Sequence, residues 1–264
     1  MKQHRARKRF GQNFLHDATV LQRIVSAIDP RPGQTLVEIG PGPGALTRQI
    51  LTLTKQLTVV ELDRDLIPLL QQNCAGLGTL EIHSADALKF DFCTLKQPEK
   101  RIRLLGNLPY NISTPLLFHL FKQLPCIQDM HFMLQKELVE RITATPGSKT
   151  YGRLSVMVQF HCQVEMLFTV GPEAFRPAPK IDSAIIRLIP HPEPPVEVTN
   201  PTAFSQLVTQ AFSQRRKTLR NTLKKMLSAE QISSSGIDPA IRAEQLSLQE
   251  FALLTNLLES SKSG

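Results

Sequence analysis

Along the first two-thirds of the chain, short apolar runs rich in β-formers alternate with stretches of helical period. Residues 35–39, 57–61, 80–83, 102–106 and 130–134 read as strands. Strands that alternate with helices predict a parallel sheet covered by helices, an α/β fold. Two further runs, 165–170 and 184–189, follow a helical stretch around 154–161 and flank a proline-rich loop. They read as an antiparallel pair at the sheet edge. The sequence Pro190-His191-Pro192-Glu193-Pro194-Pro195 then removes backbone donors and forces extended conformations, which predicts a boundary. Beyond it Leu207, Val208, Ala211, Phe212, Leu219, Leu223 and Met226 recur at helical spacing, and Arg216, Arg220 and Lys224 recur every four residues on another face. The expectation is a first domain over 1–190, a linker over 191–195 and a small all-helical domain over 196–264 carrying one basic stripe.

Composition narrows the class. The chain has 264 residues, 41% hydrophobic and 20% charged, enough to bury a sizeable core in one large domain or two smaller ones. Its net charge of +8 is concentrated near the two ends and suits a polyanionic partner. Cys74, Cys93, Cys126 and Cys162 show no C-x-x-C pair and no histidine at ligand spacing, so reduced structural thiols and no metal site are expected. No apolar run approaches a membrane span and the basic opening leads into Phe10-Gly11-Gln12-Asn13, not an apolar signal core. A cytoplasmic protein without a membrane anchor is therefore expected.

The candidate chemistry starts at Val37-Glu38-Ile39-Gly40-Pro41-Gly42-Pro43-Gly44, a strand entering a glycine-rich turn that opens a helix near Ala45. Glycines let the backbone pass close to a ligand. About twenty residues on, the second strand ends in Glu61, placed to accept from both hydroxyls of an adenosine ribose. Asp86 follows the third strand, where an acid can meet the adenine amine. A carboxylate at that distance serves a dinucleotide oxidoreductase equally well. Here, however, the glycines fall as G-x-G-x-G, without a regular pyrophosphate cradle, which favours S-adenosylmethionine.

After the fourth strand comes Asn107-Leu108-Pro109-Tyr110, at the end of the sheet where open α/β folds bind ligands. The N6 lone pair of adenine is delocalised into the ring and is a poor nucleophile. The Asn107 carboxamide oxygen and the Leu108 carbonyl can accept its two hydrogens and aim the lone pair at a methyl donor, stabilising the transition state with fixed dipoles. Pro109 stiffens the turn, and Tyr110 offers an aromatic face to a flipped base. The alternative is a turn with a core tyrosine, which the preceding glycine loop and acids argue against.

With these motifs in view, the chain resembles the bacterial small-subunit ribosomal RNA adenine dimethyltransferases (KsgA type) along nearly its whole length. The likeness rests on Glu38-Ile39-Gly40-Pro41-Gly42, on Asn107-Leu108-Pro109-Tyr110-Asn111-Ile112-Ser113-Thr114 and on the opening Lys8-Arg9-Phe10-Gly11-Gln12-Asn13-Phe14-Leu15. It also rests on Phe175-Arg176-Pro177-Ala178-Pro179-Lys180-Ile181-Asp182-Ser183 and on Gln214-Arg215-Arg216-Lys217-Thr218-Leu219-Arg220. Pro43 and Ile181 stand where leucine and valine are expected. The resemblance implies a Rossmann-like class I methyltransferase sheet and transfer of two methyl groups to each of two adjacent adenosines near the 3′ end of small-subunit rRNA, in a pre-ribosomal particle. It also implies that Asn13 and Leu15 fold over the cofactor and join Gly40, Glu61, Asp86 and Asn107 around it. Phe175, on a stiff proline-flanked loop, is expected to stack on the target base opposite Tyr110, or else to plug the core beneath that loop. Arg5, Arg7, Lys8, Arg9 and Lys180 are candidate phosphate contacts, against which stands an ordinary solvated basic surface.

Three other functions compete: methylation of one adenine in large-subunit rRNA, an assembly factor with dispensable methylation, and the oxidoreductase. The basic opening and the second-domain motif favour the small-subunit target, and intact Glu38, Glu61, Asp86 and Asn107 favour catalysis. Nothing demands more than a monomer or an obligatory protein partner.

Overall fold

The computed structural model describes residues 13–261. In chain order the elements are β1 (Phe14–Leu15), α1 (Ala18–Ile28), β2 (Thr35–Ile39), α2 (Ala45–Thr54), β3 (Gln56–Glu61), α3 (Ile67–Cys74), β4 (Thr79–Ser84), β5 (Ile102–Asn107), α4 (Ser113–Phe121) and β6 (Ile127–Gln135). There follow α5 (Lys136–Ile142), α6 (Arg153–His161), β7 (Cys162–Val170), β8 (Phe175–Arg176), β9 (Ser183–Pro190), α7 (Pro201–Ala211), α8 (Leu219–Thr222), α9 (Ala229–Ser234) and α10 (Leu248–Ser260). The basic opening up to Gln12 lies outside the described residues.

Seven strands form one sheet in the order β4-β3-β2-β5-β6-β9-β7. Strands β2 to β6 pair in parallel, and β9 runs antiparallel to β6, so the Rossmann-like α/β expectation holds. From β2 the chain goes first to β3 on one side and later to β5 on the other. The carboxyl end of β2 is therefore a topological switch point, the place where such sheets leave a crevice for ligands. β2 is buried along its whole length and β5 up to its last residue, which explains why both read as near-continuous apolar runs.

The helix α1 was not signalled by any strand-helix alternation. Asp17 caps it by accepting from the Val20 N–H at 2.9 Å, and Leu21, Ile24 and Ile28 bury one face. At its far end Arg103 of β5 donates to the Ile28 carbonyl at 2.7 Å and to Gln34 at 2.9 Å, while pairing with Asp129 of β6 at 3.0 Å. One buried guanidinium thus ties the end of α1 to two strands. A second, two-stranded sheet joins β1 to β8 in antiparallel register, Leu15 opposite Phe175.

The chain divides into two compact units. One holds the described residues up to Val139 with Glu165–Pro190; the other holds Glu140–Val164 with the residues from His191 onward. One division falls at Pro190, and the C-terminal unit also takes in residues 140–164, which a contiguous boundary did not foresee. The reason is aromatic packing within that unit: Phe160 of α6 stacks on Phe204 of α7 at 4.5 Å, and Tyr151 meets Phe212 edge-on. Capping boxes at Ser228/Gln231 and Ser247/Glu250 start α9 and α10.

Two expectations are corrected. The basic stripe does not lie on one helix, because α7 ends at Ala211, turns follow, and α8 spans only Leu219–Thr222. Thr218 adopts an extended conformation that starts α8 anew, leaving Arg216, Arg220 and Lys224 exposed on a turn, a short helix and its exit. Nor are all four cysteines free: Cys93 and Cys126 form a disulfide, with Cα atoms 5.5 Å apart, while Cys74 and Cys162 are buried thiols. A separation of 33 residues gave no hint of this pairing, since the segment after β4 and the entry to β6 meet only through the sheet order. No helix among the described residues is long and apolar enough to cross a membrane.

Candidate active site

A cavity of about 340 Å³ opens at the switch point. It is lined by the ends of β2, β3 and β5, by the turn after β4, and by Asn13 to Leu15, a size and place suited to a nucleotide-like ligand. Asn13, Leu15, Gly40, Glu61, Asp86, Asn107, Leu108, Pro109 and Tyr110 all reach it. Five chain segments, some close to a hundred residues apart in sequence, converge there because parallel strands deliver all their carboxyl ends to one edge.

The turn after β2 depends on backbone that side-chain-bearing residues rarely adopt. Gly42 has φ +57°, and a Cβ there would sit 3.2 Å from the Phe14 ring. Gly106 serves a different purpose. A Cβ on it would lie 2.4 Å from the Ile39 carbonyl oxygen, so its absence lets β5 approach β2 closely and brings Asn107 beside the glycine turn.

Two carboxylates set the electrostatics. Glu61, buried at 6% exposure, accepts from the Gly42 N–H at 3.1 Å through one oxygen and from the Asp63 N–H at 2.8 Å through the other. Burial pushes its carboxyl up, opposed by those N–H groups. Glu38 lies deeper. Burial raises it to about 7, against the hydrogen bond from the Thr47 hydroxyl at 2.7 Å and with help from the charge of Glu61. Asp86 accepts from the Leu88 N–H through one oxygen at 3.0 Å, leaving the other without a partner among the described residues.

At the opposite wall, the Asn107 carboxamide nitrogen donates to the Asn13 carbonyl at 2.9 Å. That bond fixes the amide orientation and leaves Oδ1 as an acceptor. The Leu108 N–H donates to the Met133 carbonyl at 3.2 Å, and the Leu108 carbonyl takes no hydrogen bond among the described residues. Pro109 adds an acceptor for Ser113 Oγ at 3.0 Å and for the Ile112 N–H at 3.1 Å, which locks the turn onto the start of α4. The Tyr110 hydroxyl shares a 2.8 Å hydrogen bond with buried Ser183 of β9, and burial raises its pKa.

Phe175 is the exception among the expected site residues. It is 2% exposed, packed in the core with Leu15, Leu21 and Ile24, and does not line the cavity. Pairing with β1 goes with a ring turned into the core, so it packs beneath Leu15 instead of presenting a stacking face. Other residues reach the cavity without any motif to mark them: Ile24, Leu62, Asp63, His131, Met133 and Ile185. Leu62 could have been suspected, since it follows Glu61 and is a large apolar side chain left 51% exposed.

Residues 3–260 match the family described as ribosomal RNA adenine dimethylase. This chain belongs to the ribosomal RNA adenine dimethylase family. Among curated relatives, a protein named ribosomal RNA small subunit methyltransferase A from Pseudomonas aeruginosa is 58% identical over 256 residues, 97% of this chain and 96% of that one. The protein of the same name from a Marinomonas species is 56% identical over 253 residues, 96% of this chain and 95% of its own. Among solved structures, a dimethyladenosine transferase from Plasmodium falciparum is 28% identical with a TM-score of 0.77, covering 95% of this chain and 98% of its own. The 23S rRNA methyltransferase ErmE is 25% identical with a TM-score of 0.73, covering 94% and 100%. As a member of the adenine dimethylase family this chain is a methyltransferase, and the oxidoreductase reading is set aside.

The cavity also fits what such an enzyme needs. Buried acids at Glu38 and Glu61 and a half-buried one at Asp86 suit a ligand with ribose hydroxyls, an adenine amine and a positive charge. One pocket thus carries hydrogen-bond acceptors on two sides, Glu61 and Asp86 on one and Asn107 and Leu108 on the other.

Proposed function

We propose that this protein uses S-adenosylmethionine to dimethylate the N6 amines of two adjacent adenosines near the 3′ end of small-subunit rRNA, during assembly of the small subunit. The observation that carries the mechanism is the 2.9 Å bond from Asn107 Nδ2 to the Asn13 carbonyl. It fixes Asn107 Oδ1, and with Leu108 held by its N–H to the Met133 carbonyl at 3.2 Å the two oxygens are read as a preset pair of acceptors.

S-adenosylmethionine would supply an electrophilic methyl group, with Glu61 accepting from its ribose hydroxyls, Asp86 from its adenine amine, and Asn13, Leu15 and Gly40 closing around it. Asn107 and Leu108 take the two N6–H bonds of the target adenine. This draws the nitrogen toward tetrahedral geometry with its lone pair toward the methyl donor, at no reorganisation cost. Tyr110, fixed by Ser183, presents its ring to the base. The N6 lone pair would form the new C–N bond as the sulfonium–methyl bond breaks, with S-adenosylhomocysteine as the leaving group, and the cationic N6 then sheds one proton to solvent. A single N6–H remains, and either acceptor can hold it for the second transfer.

The name of the 58%-identical Pseudomonas relative supports a small-subunit target over the 23S rRNA for which the 25%-identical ErmE is named. The basic opening, outside the described residues, and exposed Lys180, Arg216, Arg220 and Lys224 supply charge for rRNA phosphates. In this reading the C-terminal helical unit binds RNA, and the enzyme works in the cytoplasm as a monomer.

The test is transfer from labelled S-adenosylmethionine to small ribosomal subunits lacking adenine methylation, with mass spectrometry of rRNA fragments, for the wild type and Asn107→Ala. Dimethyladenosine at two adjacent 3′-terminal positions, reduced about 10²–10³-fold in the variant as for loss of one preorganised dipole, is the expected result. Transfer only to large-subunit rRNA would move the target. No transfer despite cofactor binding would favour an assembly role.

A further inference from the structure

The two acceptors assigned to the target base, Asn107 Oδ1 and the Leu108 carbonyl, recognise an amino group and nothing more. Cytosine also carries an exocyclic amine, so a site that selects adenine needs a further contact. What flanks the amine differs between the two bases. On one side both have a ring nitrogen, N1 in adenine and N3 in cytosine. On the other side adenine offers the acceptor N7, where cytosine has only a C5–H. A hydrogen-bond donor on that second side tells the two bases apart.

Asn111 can supply that donor. It lines the cavity directly after Tyr110 and is exposed, so a ligand can reach it. The chain on either side of it is held. The Tyr110 hydroxyl shares its 2.8 Å bond with Ser183, and the Ile112 N–H and Ser113 Oγ both donate to the Pro109 carbonyl, at 3.1 and 3.0 Å. The Asn111 carboxamide itself makes no hydrogen bond among the described residues.

An asparagine at the start of a helix ordinarily spends its side chain on a backbone N–H two or three residues on. Here α4 begins without a side-chain cap, and the amide stays free to turn its nitrogen toward a ligand. The other side-chain donors on this wall are engaged, Asn107 Nδ2 by the Asn13 carbonyl and the Tyr110 hydroxyl by Ser183. We infer that Asn111 is a specificity-determining residue whose Nδ2 donates to N7 of the target adenine while Asn107 and Leu108 hold the amine. This rests on the adenine-N6 reading above.

The test pairs an enzyme variant with a substrate variant. Small subunits are reconstituted with rRNA carrying adenosine, 7-deazaadenosine or 1-deazaadenosine at both target positions, and kcat/KM is measured for the full chain and for Asn111→Leu, which keeps the size and removes the donor. 7-Deazaadenosine keeps the amine and replaces N7 by C–H. Its intrinsic effect on the amine is common to both enzymes, so it cancels when their adenosine to 7-deazaadenosine ratios are compared. That ratio is expected to be about three- to tenfold larger for the wild type, as for one neutral hydrogen bond, with the adenosine to 1-deazaadenosine ratio equal in the two. Cofactor affinity of the variant, measured by calorimetry, should stay within about twofold, as for an exposed side chain away from the ligand's grip. Equal 7-deazaadenosine ratios overturn the assignment, and so does a difference that appears with 1-deazaadenosine instead, since the contact would then lie on the edge that cytosine shares. Failure of the wild type to methylate subunits carrying adenosine overturns the adenine-N6 reading itself, and this inference with it.

Discussion

The guanidinium of Arg103 offers a stability prediction that can be worked from its contacts. Its side chain is 8% exposed and that of Asp129 13%. Nε reaches both carboxylate oxygens at 3.0 and 3.1 Å, Nη2 the Ile28 carbonyl at 2.7 Å, and Nη1 Gln34 Oε1 at 2.9 Å. Arg103→Met keeps most of the aliphatic volume but leaves Asp129 a buried uncompensated charge and strips a donor from the carbonyl end of α1. Breaking a buried pair from one side costs about 3–5 kcal/mol. In a domain of this size that corresponds to a fall of about 6–20 °C in Tm. Adding Asp129→Leu removes the stranded charge, so the double variant should recover much of the loss. The Ile28 carbonyl stays unpaired in it, and a residue of about 1–3 kcal/mol should remain. Urea denaturation of wild type, both single variants and the double variant measures all four corners of the cycle. A double variant no more stable than Arg103→Met would refute the reasoning, because the cost would then not arise from the stranded carboxylate. Because Ile24 on α1 lines the cavity, cofactor affinity is expected to fall with α1 in the single variant and to return with stability in the double.

Other outcomes follow from the same geometry. Glu38 has its folded pKa raised to about 7, so its contribution to stability is complete below the unfolded value and is lost as pH rises through about 7. His131, lowered to about 4, contributes in the opposite sense, its stabilisation being lost as pH falls from the unfolded value toward 4. The two oppose each other in the wild type. The difference in unfolding free energy between Glu38→Gln and wild type isolates the first term, and it should grow in favour of the variant from pH 5 to pH 8; a difference independent of pH would contradict the burial argument. Gly106→Ala places a Cβ 2.4 Å from the Ile39 carbonyl oxygen. The strands must separate, so a loss of about 1–3 kcal/mol in chemical denaturation, with methyl transfer falling further than cofactor binding, is expected; unchanged transfer would show that Asn107 does not need that close approach.

Much of this protein was legible in its sequence, for a definite physical reason. Buried parallel strands must be apolar on both faces, so β2, β3 and β5 announce themselves, and a backbone that turns tightly at a ligand needs glycine at Gly40 and Gly42. Polar residues at strand ends, Glu61 and Asn107 among them, stand out against such runs, which is why nine of the ten expected site residues line one cavity. What the sequence could not carry is whatever depends on contacts between segments distant along the chain. Phe175 reads equally well as a stacking ring or a core ring, and only its pairing with Leu15 buries it. The Cys93–Cys126 disulfide depends on where the entry to β6 meets the segment after β4. Residues 140–164 join the C-terminal unit through aromatic packing that leaves no periodic trace. His131, an ordinary residue in an apolar run, comes to line the cavity only because the sheet order sets β6 beside β5. Local pattern determined which elements form and which residues carry chemistry; tertiary packing alone decided which of those side chains share a pocket, because proximity across strands is set by sheet order and not by sequence distance.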